Sequence, residues 1–190
     1  MSNTYFYDSN HNRIGVTRAN PLTRNDVLNS INPRQLTDIA YVNIGSIVSS
    51  LGSGCFAGCR GLTELPTLAV GSTINTFPSN CFYGCIGLTV ITIPTNITSL
   101  DSNCFYNCIN LNQLIFANSQ NIIVVGAQAF DGTAIGIIVS YYNAANFEEL
   151  PNSLKNSQNQ FTNPTYIYYP YIYPEPPNQQ IIRKLITYNI

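Results

Sequence analysis

The six cysteines are the residues of this chain whose type and spacing point most directly to chemistry. They fall into three C-x-x-x-C pairs, Cys55/Cys59, Cys81/Cys85 and Cys104/Cys108. Thiolates bind zinc, thiols on neighbouring segments join as disulfides, and uncharged thiols fill hydrophobic interiors. The chemistry of these six residues therefore depends on the elements that position them.

Zinc is the least favoured of these three roles. Structural zinc sites use C-x-x-C or Cys/His spacings, whereas here the spacing is one residue longer and the one histidine, His11, lies far from the pairs. Disulfides between stacked repeats are compatible with a Cα separation of about 5 Å. Each column nevertheless holds three cysteines, so pairing within a column leaves one over. We therefore favour buried, reduced thiols and predict neither a metal nor a cofactor.

The cysteines belong to a longer repeat that predicts their positions. The segments GSGCFAGCRGL (52–62), PSNCFYGCIGL (78–88), DSNCFYNCINL (101–111) and GAQAFDGTAI (126–135) align around Phe56, Phe82, Phe105 and Phe130. These phenylalanines are 26, 23 and 25 residues apart, and periods of about 20–50 residues are typical of solenoids. We expect the four rings to stack in one interior column beside the cysteines.

Two further columns contain glycine or asparagine. Gly58, Gly84, Asn107 and Gly132 follow the phenylalanines by two residues, and Gly61, Gly87 and Asn110 come three residues later. These residue types tolerate a left-handed backbone. We expect positive φ angles in the first column and a second turn of the same kind in the other.

The remaining columns predict the strands. LTEL (62–65), LTVITI (88–93) and LNQLIF (111–116) alternate apolar and polar residues, which is the pattern of a half-buried strand. One short strand per coil gives a parallel sheet along one face. The predicted fold is a right-handed parallel solenoid of four to five coils over residues 36–140, made mostly of strand and loop.

The segment before the repeats, residues 1–35, is predicted to be an N-terminal cap. TYFY and RIGVT flank a turn-forming DSNHN and predict a hairpin. Thr23 and Asp26 form a capping box that opens a short helix, and its Val27, Leu28 and Ile31 are expected to cover the first coil.

The segment after the repeats divides into a polar flank, residues 141–163, and a tail, residues 164–190. PTYIYYPYIYPEPP (164–177) holds five tyrosines and five prolines, so we expect it to be extended and outside any regular sheet. Tyrosine is enriched at interfaces, and the tail is predicted to dock on a partner. The alternative is a C-terminal cap. The predicted contact residues are Tyr166, Tyr168, Tyr169, Tyr171, Tyr173, Ile181, Ile182, Leu185 and Ile186.

Composition excludes several classes of function. Of 190 residues, eight are basic, nine are acidic and one is histidine, so phosphate neutralisation cannot support nucleic-acid binding. One histidine and scattered carboxylates leave few groups for catalysis, and we predict that the chain is not an enzyme. Neither a signal peptide nor a membrane span is visible, so we expect intracellular synthesis rather than secretion.

The repeat resembles the BspA-type leucine-rich repeat, a match seen best in SNCFYGCIGLTVITIP (79–94). The resemblance implies a leucine-rich-repeat solenoid with one short parallel strand per coil and an irregular or 3-10 convex side. The family is known from surface proteins of bacteria and parasitic protists and from large DNA viruses. It implies adhesion or protein-protein interaction without a shared catalytic residue.

Two classes of function follow from the residues and the resemblance together. We predict a non-catalytic structural or interaction protein, a component of a larger assembly such as a virus particle or a cell surface layer. A secreted or surface adhesin and an enzyme with an unrecognised site stay open as alternatives. The partners are expected to be other proteins.

Overall fold

The computed structural model describes residues 3–116, 124–134, 138–142, 165–169 and 187–188. The elements in chain order are β1 (Thr4–Tyr7), β2 (Arg13–Thr17), α1 (Arg24–Ile31), a 3-10 turn (Leu36–Asp38), β3 (Tyr41–Ile44), β4 (Thr67–Leu68), β5 (Thr76–Phe77), β6 (Val90–Ile93), β7 (Ser99–Leu100), β8 (Gln113–Phe116), β9 (Val124–Val125), β10 (Ile138–Tyr142), β11 (Thr165–Tyr169) and β12 (Thr187–Tyr188). The described chain is therefore mostly strand and loop. Within it, no helix is both long and apolar enough to cross a bilayer.

The N-terminal segment contains the predicted hairpin and helix. Strands β1 and β2 pair antiparallel, and β1 also pairs antiparallel with β3. The helix α1 begins after Thr23, whose backbone N–H donates to Asp26 Oδ2 at 2.9 Å in the predicted capping box. Val27 and Ile31 are buried, but Leu28 is 40% exposed. The prediction that Leu28 covers the first coil is wrong, because Leu28 lies on the solvent side of the helix.

The loop before α1 is bonded to the first repeat. The Leu22 N–H donates to the Ser50 carbonyl at 3.1 Å, and the Gly52 N–H donates back to the Leu22 carbonyl at 2.8 Å. The Arg24 guanidinium donates to the carbonyls of Gly54 and Ala57. Leu22 in the loop and Arg24 at the start of α1 therefore satisfy carbonyls at this end of the repeats.

The four repeat phenylalanines stack in one buried column, as the spacing predicts. The Phe56 and Phe82 ring centroids are 5.6 Å apart, those of Phe82 and Phe105 are 5.1 Å apart, and those of Phe105 and Phe130 are 5.3 Å apart. Their planes differ by 12°, 9° and 8°. Phe77 packs edge-on against Phe82 at 5.1 Å. Offset and edge-on aromatic pairs add to the stability that burial alone provides.

A backbone ladder accompanies the column. The N–H of Phe56 donates to the Cys81 carbonyl at 2.9 Å, and the N–H of Phe82 donates to the Cys104 carbonyl at 2.8 Å. Phe105 donates in the same way to Ala129 at 2.7 Å. Adjacent repeats are thus joined by backbone hydrogen bonds at the turn that holds the ring.

Left-handed residues stand on both sides of each phenylalanine. The predicted positive φ is found two residues after the ring, at Gly58, Gly84, Asn107 and Gly132. A second set, which the sequence reading missed, lies two residues before the ring, at Gly54, Asn80, Asn103 and Gln128, with φ of 63°, 60°, 58° and 57°. Each ring-bearing turn therefore begins and ends with a left-handed residue.

The later column of glycine and asparagine has a different role from the one predicted. Gly61, Gly87 and Asn110 are not among the residues with positive φ. A Cβ at Gly87 would meet the carbonyl oxygens of Arg60 and Leu62 at 2.6 Å each. Glycine occurs at positions 61 and 87 because the backbone of the preceding repeat packs against these positions. At the third position, the Asn110 side-chain amide donates to the Ile86 carbonyl at 2.8 Å.

Each central repeat contributes two strands rather than the predicted one. The expected parallel pairing holds between β6 and β8, with Ile91 opposite Leu114, and between β8 and β10. A second parallel sheet, in the order β5-β7-β9, is formed by the residues that precede each phenylalanine. The sequence pattern does not predict these strands, since each is only two residues long.

The tail also differs from its prediction. Strand β11 lies between β10 and β12, pairing parallel with β10 over five residues and antiparallel with β12. The expectation that the tail stays outside a regular sheet is therefore wrong for residues 165–169. Proline excludes itself from a central strand because it lacks an N–H, but TYIYY lies between Pro164 and Pro170 and contains none.

Candidate interaction surface

All six cysteines lie in the interior. They are free thiols with no exposed surface. The Sγ of Cys85 donates to the Phe56 carbonyl at 3.1 Å, and that of Cys108 donates to the Phe82 carbonyl at 3.2 Å. These bonds run from one repeat to the repeat before it. The thiols therefore act as small hydrophobic side chains that also satisfy backbone carbonyls.

Burial disfavours ionisation of these thiols. Desolvation raises the pKa of Cys59 and Cys108 from 9.0 to about 12. It raises the pKa of the other four cysteines as well. The thiolate is the form that attacks electrophiles and binds metals. Reactive thiol chemistry near neutral pH is thus opposed by the fold, and the predicted lack of a metal and of a cofactor stays a prediction.

With the thiols buried, the groups available for contact are on the outer side of the strands. We call the outward side chains of β4, β6 and β8 the strand face: Thr67, Val90, Thr92, Gln113 and Ile115. They alternate with buried Ile91, Ile93 and Leu114. The chain carries no Asp, Glu, Lys, Arg or His between residues 65 and 100. Over its first two strands, the strand face therefore offers only uncharged polar and β-branched groups.

The strand face is interrupted between β4 and β6. The predicted strand LTEL does not form; the strand of that repeat is β4, two residues later, and it pairs with β3. Leu65 and Pro66 are buried in succession, so Thr67 points outward where Ile93, its counterpart 26 residues later, points inward. Because a one-residue slip reverses the faces of a strand, β4 is out of phase with β6. Pro66 also lacks an N–H for the ladder.

A cleft of about 500 Å³ lies at this interruption. One wall comes from β4 and the loop after it, and the other comes from β6 and the residues that follow it. The lining residues are Leu65, Pro66, Thr67, Leu68, Ala69, Gly71, Ser72, Thr92, Pro94, Thr95 and Asn96. Every one of them is uncharged.

The loop beside the cleft is longer than its counterpart in the next repeat. The interval from Phe56 to Phe82 is 26 residues and that from Phe82 to Phe105 is 23, and the extra length falls after β4. Val70 at the loop tip is fully exposed. A second hollow of about 410 Å³ lies on the other side of the loop, against Tyr5 and Asn43.

Only three of the nine tail residues predicted to contact a partner lie among the residues that the structure describes. Tyr166, Tyr168 and Tyr169 lie on β11 and are brought into the same sheet as β6 and β8. The remaining predicted contacts lie outside the described residues: Tyr171, Tyr173, Ile181, Ile182, Leu185 and Ile186.

One partly exposed aromatic pair was not predicted from the sequence. The rings of Tyr83 and Tyr106 stack at 5.2 Å with 9° between their planes, and Tyr83 is 40% exposed. Both residues directly follow a column phenylalanine. The alignment of the repeats could therefore have predicted this pair, because residues in equivalent positions of stacked repeats are neighbours.

The comparison with known families agrees with this geometry. A model described as the BspA type leucine-rich repeat region matches residues 34–161 in 6 copies. The chain belongs to the BspA-type leucine-rich repeat family. The BspA-type match extends beyond residue 140, where the repeats were predicted to end, and contains more copies than the four to five coils expected. No curated protein and no solved structure matches the chain.

Proposed function

We propose that this BspA-type protein is a non-catalytic solenoid that binds other proteins through its uncharged outer surface. The observation that carries the proposal is where its groups lie: the six thiols are buried, while the strand face and the cleft are open to solvent. A surface that offers hydrogen bonds and apolar contact without reactive groups suits binding better than catalysis.

The charge pattern favours a particular kind of association. The walls of the cleft contain no ionisable side chain, so a partner cannot be attracted there by ion pairs. Salt screens interactions between exposed charges but leaves apolar burial intact. We therefore expect association that survives high ionic strength.

Within this class we propose a component of a larger assembly, either a virus particle or a surface layer. A secreted or surface adhesin is the alternative, and an enzyme with an unrecognised site is the weaker one. Structural disulfides persist in oxidising compartments and are rare where thiols are kept reduced. Six reduced thiols in protein taken from its source support the assembly component, whereas disulfides support the adhesin.

The experiment measures the fraction of the tagged full-length chain that elutes in a large complex from its own source. Gln113→Lys places a charge within the strand face and is expected to lower association at least about tenfold, or about 1.4 kcal/mol. Ser9→Lys, at the exposed hairpin turn, is the matched control and is expected to have no effect. The wild-type complex is expected to persist in about 0.5 M salt.

The tail is a second proposed contact, and the same experiment tests it. The double variant Tyr171→Ser, Tyr173→Ser leaves the sequences of β11 and β12 intact and is expected to weaken association. If wild-type protein is found only as a monomer, or if neither the strand-face nor the tail variant changes the complex, the proposed function is wrong.

A further inference from the structure

Among the described residues, no strand pairs with one side of β6. The Thr89 carbonyl accepts hydrogen bonds from the N–H groups of Asn112 at 2.9 Å and Gln113 at 3.2 Å, both in the following repeat. Successive residues of a strand direct their backbone groups to opposite sides. The N–H and C=O groups of Val90 and Thr92 therefore point away from β8, and Thr92 lines the cleft. In the described part of the chain, β6 pairs with β8 alone.

The chain's own neighbouring strand does not fill this position. β4 forms the opposite wall of the cleft, but its pleat is out of phase with that of β6 and its pairing is with β3. An unpaired strand edge is a template for another strand. A separate segment is not fixed in register by the repeat. It can therefore pair with β6 and place its side chains in phase with those of β6.

The size and lining of the cleft indicate what that segment is. Its volume of about 500 Å³ lies within the range of about 300–1,000 Å³ typical of ligand sites. The uncharged lining would leave a buried carboxylate, ammonium or guanidinium without a counter-ion, which is costly. Leu68, Ala69 and Pro94 in the lining supply apolar contact. The complementary ligand is extended, uncharged and partly apolar.

We propose that the cleft between β4 and β6 binds an extended, uncharged segment of a partner protein, which adds as a strand to the free side of β6. This proposal rests on the proposed function and gives it a site and a recognition mode, strand addition. Main-chain hydrogen bonds supply affinity, and the uncharged walls supply selectivity. The projecting loop at the rim favours a single extended segment over the flat sheet edge of a second folded copy.

The test uses the full chain and a library of random ten-residue peptides. Peptides that bind are expected to lack Asp, Glu, Lys and Arg in their central residues. One of them, synthesised with blocked ends, is expected to slow hydrogen exchange at the Val90 and Thr92 amides. Thr92→Lys places a charge in the cleft and is expected to lower its affinity at least tenfold, or about 1.4 kcal/mol.

Thr89→Lys is the matched control, because Thr89 is exposed on the same segment but does not line the cleft. It is expected to change affinity less than about twofold. The proposal is wrong if no peptide binds, if the selected peptides are charged, or if Thr92→Lys binds normally. Self-association protecting the same amides would show that a second copy is the occupant. Peptides bound elsewhere would overturn this site while leaving the proposed function standing.

Discussion

Raising the pH above 9 is expected to destabilise the protein progressively and to unfold it cooperatively. The buried thiols are the reason. Desolvation raises the pKa of Cys59 and Cys108 from 9.0 to about 12 and that of the other four cysteines in the same direction. Between pH 9 and the raised pKa values of the folded state, the unfolded chain loses thiol protons that the folded chain keeps. The contribution of the buried thiols to the free energy of unfolding is complete below pH 9 and is lost as the pH rises toward the folded-state pKa.

The magnitude is large because six groups act together. At one pH unit above the ordinary pKa, each buried thiol lowers the free energy of unfolding by about 1.4 kcal/mol. Cys59 and Cys108 together remove about 3 kcal/mol at that pH, and the other four thiols act in the same direction, against a usual total stability of about 5–15 kcal/mol. The measurement is circular dichroism between about pH 7 and pH 11, with thiolate absorbance followed in parallel.

Cys85→Ala supplies the control for this prediction. It removes one titrating group, so the dependence of stability on pH above 9 should become shallower by about one proton in six. A fold that persists at about pH 11 while all six thiols ionise would contradict the burial of the thiols.

Phe82→Ala, in the middle of the aromatic column, is expected to cause a large loss of stability. Phe82 contacts three rings, those of Phe56, Phe77 and Phe105, at centroid distances of 5.6, 5.1 and 5.1 Å. Removing a buried Phe side chain costs about 3–5 kcal/mol. For a chain of this length, that corresponds to a fall in Tm of about 6–20 °C.

Tyr83→Ala is the matched comparison, because Tyr83 is the next residue and also stacks in a column, but is 40% exposed. Its loss is expected to cost about 1 kcal/mol. Thermal unfolding of both variants measures the difference. Equal effects of the two substitutions would show that the phenylalanine column does not hold the repeats together.

The phenylalanine column and its turns could be predicted because each depends on a local pattern. Glycine or asparagine two residues after every ring fixes the same left-handed turn in each repeat. The constant turn then places equivalent side chains on top of one another. Burial of the cysteines follows from the same register, since they flank the rings. The structure could be predicted from the sequence wherever a repeat has the same length and the same turn residues as its neighbours.

The elements that sequence reasoning missed depend on differences between repeats. Pro66 changes the phase of one strand, and its effect is visible only when the strand is compared with both neighbours. The cleft, which results from that change, could not be anticipated from a regular alternation in LTEL. Strand β11 was missed because prolines dominate the tail, although the five residues between Pro164 and Pro170 have strong β propensity.

Association of two folded variants is the most direct test of whether the protein acts through its outer surface and not through its cysteines. The fraction of full-length chain in the native complex is measured for Cys85→Ala and Gln113→Lys, normalised to the folded fraction of each. Cys85→Ala is expected to associate like the wild type, and Gln113→Lys at least about tenfold less. The opposite result, with association lost in folded Cys85→Ala and kept in Gln113→Lys, would contradict a surface-binding role.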